Sequence, residues 1–251
     1  MAAGALLAVA YAGALAGAQG AVVAAAAKPE SPLSTTDIVE RMVAMNLERS
    51  AALQAYSEVT HYHVTYHGFG TETAEMTVKV TYQDGGPKQF TEVSASGSGM
   101  LRQHVLEPLL KAQRHEAAVE DRDGGALVPE NYDFELVDSP QPGTQNCYVL
   151  AVKPVRDAKR FLFRGKIWVN PKDFGIERAE GDSVSSPSFW VSRFHFQVHS
   201  RKIGDFWVPA SSRSTSHVRV FGHAVLDMTF SDFQVTAARP VNFLAAEGSP
   251  R

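Results

Sequence analysis

Apolar and polar residues alternate strictly along one segment of this chain after another. In Thr60–Tyr66, Tyr62, Val64 and Tyr66 share one side, and His61, His63 and Thr65 share the other. Ala74–Tyr82 repeats the pattern, with Ala74, Met76, Val78, Val80 and Tyr82 against Glu75, Thr77, Lys79 and Thr81. Successive side chains of a strand point to opposite faces, so each segment predicts an antiparallel strand with one dry face and one wet face. Further strands are expected at Tyr132–Val137, Cys147–Val152, Phe161–Val169, Ile176–Glu180, Phe189–His199, Phe206–Val220 and Ala224–Val235. Gly68-Phe69-Gly70, Asp84-Gly85-Gly86-Pro87, Asn170-Pro171-Lys172-Asp173 and Ile203-Gly204-Asp205 supply turn chemistry between neighbours.

Two segments have a helical period instead. Ser34 and Asp37 stand at capping-box spacing, and Ile38, Met42, Met45 with Val39, Val43, Leu47 form one stripe, predicting a helix from about Thr36 to Leu53. After a small-residue break at Ser94–Gly99, a second stripe runs through Leu101, Val105, Leu109 and Ala112, with Leu106 and Leu110 beside it. Pro108 lies inside that pattern and should kink or split the helix there. About ten one-faced strands need a cover, either a second sheet or helices. Helices placed between strands favour an α+β fold: a strongly curved antiparallel sheet, an unclosed half-barrel, wrapped over two or three helices. Helices this short leave apolar surface over, which predicts a cavity.

The ends differ from this body. The first charged residue is Lys28, so residues 1–27 form an uncharged, Ala- and Gly-rich block that reads as a signal peptide or an N-terminal anchor. Residues 28–33 carry Pro29 and Pro32 and read as a linker, 34–236 as one domain, and 237–251 as a disordered tail. The single Cys147 excludes a disulfide framework and a cysteine-built metal site, and it lies too far from the leader for lipid attachment. With 24 basic against 27 acidic residues the net charge is −3, which offers no global field for nucleic acid.

Candidate chemistry is sparse. His61, His63 and His67 share a strand face, but no carboxylate matches their spacing, so a solvated cluster is the expectation; His195 and His199 read the same way. No nucleophile elbow, zinc-binding helix motif or phosphate loop is present, so no catalytic residue, metal or cofactor is assigned. Lys153, Arg156, Lys159, Arg160, Arg164 and Lys166 gather on one hairpin, either as a solvated tip or as a docking patch for an anionic partner. The face expected to line a ligand cavity comprises Tyr62, Val64, Tyr66, Met76, Val78, Val80, Phe163, Ile167, Phe194, Phe196, Leu226, Met228 and Phe230.

Gly165-Lys166-Ile167-Trp168-Val169-Asn170-Pro171, then Ile176-Glu177-Arg178-Ala179-Glu180-Gly181, and later Phe206-Trp207-Val208-Pro209, together resemble the outer-membrane lipoprotein-sorting (LolA/LolB-like, RseB-like) periplasmic family. The likeness runs from about Thr36 to Val235. It implies an open antiparallel barrel with a helical lid over a hydrophobic cavity for acyl chains, without cofactor or covalent chemistry. Met100, Leu101, Val105 and Leu109 would then be lid residues, moving about Gly97 and Gly99. An extra hairpin around Ser183–Pro187 departs from the family pattern. The expected function is a non-enzymatic, monomeric periplasmic carrier of a lipoprotein or other lipid toward the outer membrane, working with membrane transport partners. The alternative is a lipid-responsive sensor or scaffold that binds a partner protein.

Overall fold

The first described helix, α1 (Thr35–Ala52), begins at a complete capping box: the Ser34 hydroxyl accepts from the Asp37 N–H at 3.2 Å, and Asp37 accepts from the Ser34 N–H at 3.1 Å. Ile38, Val39, Met42 and Met45 form its buried stripe, which continues to Arg49, while Leu47 is exposed. The structure is a computed structural model and describes residues 33–84, 86–118, 126–140, 146–155, 162–184, 191–218 and 222–243. The expected leader, nearly all of the linker and the end of the tail lie outside the described residues.

Three strands follow α1: β1 (Leu53–His67), β2 (Thr71–Gln83) and β3 (Gln89–Gly97). Seven more come after the helical insertion: β4 (Tyr132–Asp138), β5 (Tyr148–Pro154), β6 (Phe163–Val169), β7 (Ile176–Ser183), β8 (Val191–Ile203), β9 (Phe206–Val218) and β10 (His223–Ala237). They make one ten-stranded antiparallel sheet in the order β3-β2-β1-β10-β9-β8-β7-β6-β5-β4, not closed into a barrel. The fold is the α+β half-barrel anticipated from the alternation. β3 corrects one boundary, because Ser94–Gly97 continues a strand paired with β2. Small polar residues read as a break, but at a sheet edge they are tolerated because one side meets water.

The sheet order dictates where the second helical segment must go. β3 and β4 are the opposite edges of the sheet, so the chain between them returns across the concave face. That return is α2 (Gly99–Leu101), a π-helical turn (Arg102–Leu106) and α3 (Glu107–Ala118). The interruption falls just ahead of Pro108, where the proline ring crowds the preceding turn and a wider turn relieves the clash.

Two hydrophobic clusters result. α1 covers an aromatic-rich one with Tyr132, Phe163, Ile167, Phe194 and Phe196; Phe163 meets Phe196 edge-on at 5.0 Å. α2 and α3 cover the other, where Leu101, Leu106, Leu109 and Leu110 pack on Val64, Met76, Val78 and Leu226. The chain after β10 folds back onto α1: Val241 is buried in the first cluster, and Arg239 pairs with Glu48, so the packed domain extends past residue 237.

Candidate functional site

Between the two clusters lies a cavity of ≈ 240 Å³. Its walls come from the C-terminal turn of α1, the first two thirds of β1, the end of β2, Lys88, Phe90, Gln113 of α3, and the facing parts of β7 to β10. Most of the lining is apolar, including Leu53, Tyr56, Ile176, Val198, Phe206, Phe230 and Val235.

A bulge shapes the wall at the seam of β1 and β10. Ser57 pairs with Gln234 and Val59 with Ser231, so Glu58 faces two residues, Asp232 and Phe233. Asp232 takes the left-handed conformation (φ 51°), which aspartate tolerates better than most residues. The extra residue reverses the inward parity of β10. Met228 and Phe230 face the cavity before the bulge, and Phe233 and Val235 after it.

Polar groups are few. Glu58 is 8% exposed, and burial pushes its carboxyl up to about 7 against the opposing pull of Lys88 and a hydrogen bond from Thr60. The Tyr62 hydroxyl donates to Gln113 Oε1 at 2.7 Å, tying β1 to α3, and burial raises its pKa well above the ordinary phenol value. On β9 the inward positions Ser212 and Ser214 are buried beside Met228, Leu226, Val198 and Phe196 of the flanking strands. Serines there keep the middle of β9 out of both clusters and make room for the cavity. Ser212 Oγ has no hydrogen-bond partner among the described residues.

The α1 end of the cavity is held by charge. Arg49 Nη2 donates to the Asp173 carbonyl at 2.7 Å and lies 3.3 Å from its carboxylate, and Nε donates to the Asp205 carbonyl at 2.9 Å. Lys202 Nζ reaches Asp173 at 2.6 Å, and Trp207 Nε1 donates to both carboxylate oxygens at 3.1 Å. Burial alone would raise the Asp173 pKa, but Lys202, the Gly175 N–H, Arg49 and Trp207 outweigh it and hold the carboxyl low. Gly175 is required here, since a Cβ would lie 1.9 Å from the Trp207 ring nitrogen.

Of the thirteen residues expected to line a cavity, Tyr62, Val80, Met228 and Phe230 do. Val64, Met76, Val78 and Leu226 instead fill the cluster under α2 and α3, with Tyr66 at its margin, while Phe163, Ile167, Phe194 and Phe196 fill the cluster under α1. The helices descend onto most of the inner face, so only the strip between them stays open. Among the expected lid residues, Leu101 and Leu109 are buried, Val105 packs beside them, and Met100 is exposed. Gly97 ends β3 with φ 82°, and a Cβ there would lie 2.4 Å from the Thr73 carbonyl oxygen, so it is held in the ladder; Gly99 has open space.

Sequence reasoning missed Glu58, Lys88, Arg49 and Ser212. Glu58 and Arg49 had a legible sign, being charged residues on the apolar parity of β1 and on the buried stripe of α1.

Outside the cavity, His63 contacts Glu75 at 3.0 Å and His61 contacts Thr77 at 3.1 Å, both near the surface, while His67 stacks on His223 at 4.6 Å. His195 lies 3.1 Å from Asp182 at the surface, and His199 is exposed. Among the described residues no cluster of three or more His, Cys, Asp or Glu is placed to hold a metal. Burial, then Glu177, push the Cys147 thiol up to about 12, which disfavours a reactive thiolate. Lys153, Arg164 and Lys166 are exposed and pair in register with Asp133, Asp182 and Glu180, so each cation faces a carboxylate residue on the next strand. Arg156, Lys159 and Arg160 lie outside the described residues, as does most of the expected Ser183–Pro187 hairpin. No described helix is long and apolar enough to cross a membrane.

Solved structures of similar architecture exist. A DUF1329 family protein from Desulfovibrio piger matches with 11% identity, covering 82% of this chain and 95% of that one, at a TM-score of 0.41. A LolA superfamily protein from Nitrosomonas europaea matches with 12% identity over 81% and 94% of the two chains, at 0.39. A proposed outer membrane lipoprotein-sorting protein domain from Vibrio parahaemolyticus also matches, with 10% identity over 79% and 93%, at 0.39. No family model and no curated protein matches this chain by sequence.

Proposed function

We propose that this protein is a non-enzymatic carrier that shelters the apolar chain of a lipid or lipoprotein in the cavity between its two clusters. The observation that carries the reading is the ≈ 240 Å³ cavity itself, apolar on most sides and set on the concave face between α1 and α3. Each methylene moved from water into it contributes ~0.8 kcal/mol, so a modest length of chain gives reversible holding without covalent chemistry. The volume is below the ~300–1,000 Å³ of sites that enclose drug-sized ligands, which suits one acyl chain rather than a bundle. The Ala-rich leader supports a periplasmic workplace, with the cargo moving toward the outer membrane through membrane partners and the carrier acting as a monomer.

The test is to purify the protein from a periplasm, extract it with organic solvent and identify lipids by mass spectrometry, alongside titration with a fluorescent fatty acid. A near-stoichiometric acyl lipid and saturable probe binding are expected. Ligand-free protein that also leaves the probe unbound ends the carrier reading. The sensor alternative needs a docking face, and the described part of the basic hairpin gives it little support, because those cations lie beside carboxylates.

A further inference from the structure

An acyl chain has no use for a carboxylate, yet Glu58 faces the cavity from the bulge where β1 meets β10. We infer that Glu58 selects the polar end of the ligand: the cavity takes a single-chain amphiphile with an uncharged, hydrogen-bond-donating head and rejects one that ends in an anion. This rests on the carrier reading of the same cavity.

The charge balance around Glu58 supports it. The groups facing it are Tyr56 and Tyr62 on its own strand, Tyr82 on β2, Lys88 from the β2–β3 connection and Arg49 from α1. Arg49 is paired with Asp173 at 3.3 Å, and Lys202, which shares that carboxylate, is partly exposed and not part of the cavity wall. Lys88 stands over the Tyr56 ring at 5.7 Å and acts electrostatically on Glu58. With Glu58 ionised, Lys88 and Glu58 cancel, and the cavity offers an anion no net positive field in surroundings that penalise charge. A hydroxyl or amide N–H gains a charge-assisted hydrogen bond to the same carboxylate. The Tyr62 hydroxyl gives its proton to Gln113, so it has none to offer an anionic head, and Glu58 is the charged acceptor for a donating one. Two strands away, Ser212 joins Tyr62 and Met228 in one cross-strand row, and its buried, unpartnered hydroxyl offers a second polar contact. Protonating Glu58 makes it a weaker, uncharged acceptor with a proton of its own to donate and unbalances Lys88, so the preference for neutral heads should shrink in acid.

The experiment is competition against a bound fluorescent acyl probe by three twelve-carbon ligands: laurate, 1-monolauroylglycerol and N-lauroylglycinamide. Full-length wild type and Glu58→Gln are compared at pH 8.5 and pH 5.5. Wild type should prefer the two neutral ligands over laurate by about tenfold or more at pH 8.5, and by about threefold or less at pH 5.5. Glu58→Gln should show the smaller ratio at both pH values. Whichever neutral ligand binds tighter tells a glycerol head from an acyl-amide terminus. Equal binding of laurate and the neutral ligands by wild type at pH 8.5, or an unchanged ratio in Glu58→Gln, overturns the headgroup inference and leaves the carrier standing. Failure of all three ligands overturns both. The two wild-type ratios decide the matter even if the variant does not fold.

Discussion

The two halves of the inner face are covered by different means. Over β4 to β8, a capped, unbroken α1 lies on aromatic rings and is fastened by the Arg49–Asp173–Lys202 group to the β6–β7 and β8–β9 turns. Over β1, β2 and β10, a helix broken by a π turn lies on aliphatic side chains. Its polar ties are Tyr62 to Gln113, the Arg114 side chain to the Phe90 carbonyl, and Ser98 to Glu72. One cover is locked by buried charge, whereas the other rests on non-directional packing. The contrast makes α1 the more firmly tied of the two covers.

The strongest test of that division is Asp173→Ala. It strips the partner from buried Arg49 and should cost about 3–5 kcal/mol in denaturant unfolding. A loss below about 1 kcal/mol would mean that α1 is not locked by charge. Leu109→Ala, under the other cover, should cost about 2–5 kcal/mol. Its hydrogen exchange should quicken in residues 99–114 while that of α1 stays as in wild type; equal quickening in both would dissolve the distinction.

Titration sharpens the same comparison. Asp173 has a lowered folded pKa, so its contribution is present above its unfolded value near 4 and lost as pH falls through the folded value. Glu58 has the opposite sign. Its folded pKa of about 7 exceeds the unfolded value of 4.5, so its cost grows as pH rises between the two and then levels off. Glu58→Gln should therefore match wild type near pH 4 and be more stable by up to a few kcal/mol at pH 8. A variant that is less stable at pH 8 would contradict a buried, charge-penalised carboxylate. The smallest effect is expected on the outer face, where Arg164→Gln and Lys166→Gln should each change stability by less than about 1 kcal/mol and leave acyl-probe affinity intact.

The half-barrel was legible because parity along a strand survives any detail of packing. Tyr62, Val64 and Met76 had to face one way whatever covered them. The open strip between the covers was not legible, because it depends on where two helices settle across the sheet. Phe233 and Val235 were hidden for a sharper reason: one residue in the left-handed conformation at Asp232 reverses the parity that pattern reading relies on. Ser212 was hidden because a serine in a serine-rich strand reads as solvent-facing until its neighbours on β8 and β10 are known.

Pairing the earliest strand with the latest sets the order of events in folding. The Ser231 hydroxyl meets the Val59 carbonyl across 172 residues of sequence, so β1 waits for almost the whole domain before gaining its second neighbour. Contacts this remote in sequence form slowly, and an unpaired strand exposed meanwhile invites association with other chains. A chain truncated before β10 should keep β2 and β3 beside β1 but lack both the bulge and the wall that faces Glu58. The cavity is thus among the last features this molecule makes, since its wall needs both β1 and β10 in place.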